Sequence, residues 1–166
     1  VNSAATISKK LIAGAASGVI APIPMTVAMI AINKLMRWPH RQRLEPRKIT
    51  DDMLRRAGLR HQLSEEERKQ AAVAAHFAFG CAAGSIYPIV EPFIPAPRTL
   101  RGPLYGLAVW AVSYSGVLPA IGSLPPQKRR PAGRALLLAA SHVVWGAALQ
   151  LASDSLDRHV DGRSRR

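Results

Sequence analysis

Four long stretches of this sequence carry no Asp, Glu, Lys or Arg, although the chain as a whole is strongly basic. They are Leu11–Asn33, Ala71–Val90, Gly102–Gln127 and Ala135–Ser153. Each is about as long as the roughly 20 residues a helix needs to cross a bilayer. Backbone polar groups in lipid must be paired within the span, which selects helices. The stretches therefore predict an all-α integral membrane four-helix bundle. Its single transmembrane domain covers residues 1–153, with spans at about 11–35, 71–90, 103–121 and 135–153 and a polar tail at 154–166. The first stretch is longer than the core of a signal peptide and reads as a true span.

Charge placement decides what the basic residues are for. The 166 residues include 23 Lys+Arg against 10 Asp+Glu, a formal net charge of +13. In a soluble chain that balance would point to nucleic acid. Here ten of the basic residues lie in Met36–Gln70 and four in Lys128–Arg134, both between apolar stretches. The positive-inside rule produces this pattern without nucleic acid and puts loops 36–70 and 128–134 in the cytoplasm. The expected partners are the bilayer and either other membrane subunits or further copies of the chain. Trp38, just past the first span, suits the membrane interface. The one cysteine, Cys81, excludes an intrachain disulfide and reads as a small packing residue.

Local signals refine the topology. Pro22 and Pro24 could kink or break span one, but prolines are common in membrane helices, and an ordinary span is the simpler expectation. In the basic loop, Ile49–Leu59 predicts a short amphipathic helix. Thr50 would be its cap, Asp51 and Asp52 would lie at its positive end, and Gly58 would be its left-handed stop. Ile49, Met53, Leu54 and Leu59 would rest on the headgroups. Ser64–Glu67 is a capping box that starts the next helix near Glu65. Glu91–Arg98, EPFIPAPR, cannot be helix throughout, and Pro125 and Pro126 close span three.

Glycines four apart, Gly14 with Gly18, Gly80 with Gly84 and Gly102 with Gly106, make smooth stripes for close helix approach. His76 shares a face with Gly80 and Gly84, and His142 shares one with Gly146 and Gln150, so both histidines should face the bundle interior. H-x-x-aromatic-G recurs at His76–Gly80 and His142–Gly146, and S-G-V-[IL] recurs at Ser17 and Ser115. A parallel duplication of one hairpin would explain both, although matches this short arise by chance.

Three chemistries can be drawn from these residues. Two inward histidines at similar depth could ligate a b-type haem, against the plainer reading that each hydrogen-bonds a neighbouring helix. Ser17 or Ser115 with His142 could form a hydrolase pair, but neither serine has the G-x-S-G setting of rhomboid proteases, and serine in a membrane helix is usually interhelical glue. A proton-coupled carrier would place a carboxylate or lysine inside the membrane, and none is there; Glu91 sits at the boundary. Trp110 and Trp145 are expected to pack in the bundle. No catalytic residue and no metal site is expected.

The runs HFAFGCAAGSIYP, GLAVWAVSYSGVLPAIGSLPP and HVVWGAAL resemble the YagU-like family of uncharacterised bacterial inner-membrane proteins. The resemblance covers most of the chain from Ile49 onward. It departs at Tyr87-Pro88, where glycine would be expected after the tyrosine. It implies a bacterial inner-membrane location and no particular activity. The reading that follows is a small polytopic inner-membrane protein, a non-catalytic structural or accessory subunit of a larger complex. Its rivals are a small-solute channel or permease acting as an oligomer, and a haem protein ligated by His76 and His142.

Overall fold

In the computed structural model, residues 3–35, 45–123 and 132–163 are described, and all their regular structure is helical. The sequence expectations for Trp38, for Pro125 and Pro126 and for Lys128–Arg130 lie outside these residues. Three helical segments are long and apolar enough to cross a membrane: Ile7–Ile32, Glu65–Phe93 and Ala132–Arg158.

The first segment is two helices, α1 (Ser3–Ile20) and α2 (Pro22–Leu35), joined at Ala21. Pro22 and Pro24 have no N–H to give to the carbonyls of Gly18 and Ile20. The ladder survives through Ala21 N–H to Ser17 O at 2.9 Å and Met25 N–H to Ala21 O at 3.4 Å. The chain leaves α4 at the break: α1 packs on both α4 (Glu65–Val90) and α7 (Ala132–Arg163), chiefly on α4, whereas α2 packs chiefly on α7. The expectation of an ordinary span gives way here, because two prolines two residues apart remove bonds from the same stretch of the ladder.

The loop helix α3 runs Glu45–Arg56, so it starts earlier than the sequence suggested. Glu45-Pro46 opens it, which suits a proline in the first turn. Thr50 is therefore buried inside the helix and is not its cap. Gly58, at φ +73°, ends it as expected. Leu59 N–H bonds Leu54 O at 2.9 Å and Gly58 N–H bonds Arg55 O at 3.1 Å, the two bonds of a Schellman stop. Ile49 packs against the buried pair Tyr114 and Leu138 rather than on headgroups, while Met53 and Leu59 stay exposed.

The capping box of α4 is complete. Ser64 N–H donates to Glu67 Oε2 at 2.7 Å, and Glu67 N–H donates to Ser64 Oγ at 3.3 Å. A 3₁₀ turn at Glu91–Phe93 follows, and then α5 (Arg98–Ala111). A π-helical stretch, Val112–Val117, and a last turn, α6 (Leu118–Ala120), continue α5. In the π stretch Leu118 N–H reaches back to Ser113 O, and the next residue, Pro119, has no N–H to donate. Gly122, at φ +69°, then stops the chain with a second Schellman pair, Ser123 N–H to Leu118 O and Gly122 N–H to Pro119 O, both at 3.0 Å. Helix α7 does not end near Ser153. It runs on through residues 154–163, so the described part of the polar tail continues the last helix.

Candidate functional site: a glycine-sealed bundle with a histidine-lined gap

Two glycine seams hold the helices. Gly14 and Gly18 of α1 face Gly84 and Gly80 of α4, while Gly102 and Gly106 of α5 face Gly146 and the His142 backbone of α7. A Cβ at any of these seven glycines would fall within 3.0 Å of partner backbone, so the helices meet main chain to main chain. Both seams are antiparallel. The seam register also bears on the apparent repeat. Gly80 takes in the first seam the place that His142 takes in the second, one turn away from the H-x-x-aromatic-G match. Gly116 of the second S-G-V-[IL] has nothing within 4 Å of its would-be Cβ, whereas Gly18 of the first sits in a seam. The two motifs are therefore not structural equivalents.

Polar groups tie the hairpins at one end. The Gln150 side chain accepts from Gly102 N–H at 2.8 Å and donates to Arg98 O at 2.6 Å, spanning the backbone pair that closes the first turn of α5. Arg101 pairs with Glu91 at 2.7 Å, and Arg98 with Asp154 at 2.7 Å. Asp154 thus docks the last helix onto α5, a contact between residues 56 apart. Tyr105 donates to Ala83 O at 2.6 Å across the two hairpins. Its ring lies 5.2 Å from that of Tyr87 and 6.1 Å from that of Trp145, which is 3% exposed. The hydroxyls of Tyr87 and Ser153 are buried and have no hydrogen-bond partner among the described residues.

At the other end Asp52 is the hub. It accepts from Ser123 Oγ at 2.8 Å and Arg56 Nε at 2.8 Å, and it pairs with Arg55. The hydrogen bond from Ser123, then that from Arg56, holds the Asp52 carboxyl below its ordinary value. The Ser123 contact joins residues 71 apart and fixes α3 beside the end of α6.

Between the seams lies a gap of about 20 Å³, lined by Pro22, Met25, His76, Phe79, Gly80, Val109, His142 and Trp145. The structure brings His76 and His142 to this one gap. It has the room of about one water. His142 is buried, with Nδ1 bonded to Leu138 O at 2.8 Å and its ring edge-on to Tyr114 at 5.6 Å. The two serines that the sequence offers as its hydrolase partners do not engage it. Ser17 Oγ donates to Ala13 O at 2.8 Å, and Ser115 is exposed. Cys81 is a half-buried free thiol.

A family model described as a protein of unknown function, DUF1440, matches residues 13–151. The chain belongs to the DUF1440 family. The match opens one residue before Gly14 and closes one residue after Gln150, so both glycine seams and the histidine-lined gap fall within the DUF1440 region. No curated protein and no solved structure matches the chain.

Proposed function

We propose that this chain is a four-span protein of the bacterial inner membrane, acting as a non-catalytic structural or accessory subunit of a larger membrane assembly. The observation that carries this reading is the close packing of the helices. Seven glycines bring main chain against main chain along two seams, which suits a packing partner better than a solute path. Connectivity supports a fourth crossing. Asp52–Ser123 gathers α3 and the end of α6 at one end, and Glu91–Arg101 gathers the preceding loop at the other. Residues 98–120 therefore run the length of the bundle, about 34 Å at helical rise, enough to cover a hydrocarbon core of about 30 Å. The YagU-like resemblance supports the bacterial inner membrane, and the basic loops 36–70 and 128–134 support their cytoplasmic placement.

The test is the native mass of the tagged chain extracted from its own membranes in a mild detergent. The subunit reading expects a particle much larger than the 17.9 kDa chain, with defined co-purifying proteins. A monomer would overturn it, and a small homo-oligomer would overturn it and favour an oligomeric permease.

A further inference from the structure

Met25, His76 and His142 reach the same gap from three different helices, α2, α4 and α7. No carboxylate lines it, and the rest of the wall is apolar apart from the Trp145 indole. The donors are two imidazoles and a thioether, and Met25 is buried. Because Leu138 O can only accept, Nδ1 of His142 is the protonated nitrogen and Nε2 carries the free lone pair. This is how a metal-bound histidine is usually oriented, with one nitrogen tied to a carbonyl and the other open. Among the described residues the His76 ring has an edge contact with Phe77 and no hydrogen-bond partner. A gap with room for one water has room for one bare ion.

The chemistry of the donors selects the ion. Hard cations such as Mg²⁺ and Ca²⁺ need oxygen ligands, which the wall lacks. The cost of moving an ion into an apolar interior grows with the square of its charge, and no carboxylate is present to offset a dication. Thioether and imidazole together select soft Cu(I). We infer that Met25, His76 and His142 form an intramembrane site for Cu(I). All three donors ligate as neutral groups, so binding releases no proton and leaves the His142–Leu138 hydrogen bond in place. The half-buried His76 and the exposed Phe79 mark where the gap approaches the bundle surface.

The full chain, purified in detergent and loaded anaerobically with Cu(I) under ascorbate, is titrated with bathocuproine disulfonate as the competing chelator. One Cu(I) per chain is expected. Affinity should fall in His76→Gln or His142→Gln by at least the roughly 10–100-fold that loss of a group one shell further out costs a metal site. Met25→Leu nearly conserves volume, so it tests the site without disturbing the fold. X-ray absorption at the copper edge should show nitrogen and sulfur neighbours, with the sulfur lost in Met25→Leu. The inference is overturned if the wild-type chain holds no Cu(I). It is equally overturned if Met25→Leu leaves affinity and sulfur signal unchanged, or if only Cys81→Ser abolishes binding.

Discussion

Alanine at Gly80 should loosen the first seam, and alanine at Gly116 should not. A Cβ at Gly80 would lie 2.5 Å from Gly18 O, about 0.9 Å inside the 3.4 Å at which ordinary contact begins, and 3.1 Å from Pro22 Cγ. The obstructing atom is backbone, so no side chain can swing aside, and α1 and α4 must part by most of that distance. A radial gap of 0.5–1 Å forfeits a quarter to a half of each dispersion well along the seam. Overpacking of this kind costs about 1–3 kcal/mol. At about 2–4 °C per kcal/mol for a chain of this size, the Gly80→Ala midpoint should fall by roughly 2–12 °C. Gly116 has open space at its would-be Cβ, so Gly116→Ala should be neutral or slightly stabilising, by up to about 1 kcal/mol. The assay is thermal unfolding in one detergent, followed by tryptophan emission. Equal midpoints for wild type and Gly80→Ala, or a larger loss for Gly116→Ala, would refute the close-approach reasoning.

Three further outcomes follow from the polar contacts. Gln150→Leu removes the side chain that serves both Gly102 N–H and Arg98 O, and should cost about 1–3 kcal/mol in the same unfolding assay. Tyr105→Phe keeps the ring between Tyr87 and Trp145 but loses the bond to Ala83 O, and should cost about 0.6 kcal/mol, the average for interhelical hydrogen bonds in membranes. Because the folded-state value of Asp52 is lowered, its contribution to docking α3 is complete above the ordinary carboxylate range and is lost as pH falls through the folded value. Amide exchange in α3, corrected for intrinsic rate, should therefore rise in strong acid, and Asp52→Asn should show the same rise at neutral pH.

What the sequence disclosed was set by how local each cause is. The charge-free stretches, the Ser64–Glu67 box and the Gly58 stop depend on neighbours within a few residues, and all can be read directly from the chain. The glycine stripes were visible, but their pairing of Gly14 and Gly18 with Gly84 and Gly80 depends on the register between two helices. The apparent H-x-x-aromatic-G repeat misleads for that reason, being one turn out of the seam register. Thr50 looked like a cap because it precedes two aspartates, yet Glu45-Pro46 had already opened the helix. Asp52 and Asp154 looked like a dipole partner and a tail residue, but they hold Ser123 and Arg98 from 71 and 56 residues away. The meeting of Met25 with His76 and His142 also required tertiary structure, because it brings together three helices, α2, α4 and α7.

The measurement that reaches furthest is cysteine labelling in sealed inverted vesicles, on a Cys81→Ala background with single cysteines placed at Gln62, Pro95 and Ile121, all three at least partly open to solvent. A membrane-impermeant maleimide should label positions 62 and 121 from the cytoplasmic face and position 95 only after the vesicles are opened. Labelling of 95 and 121 from one face would mean that residues 98–120 do not cross, and the four-span account would fall.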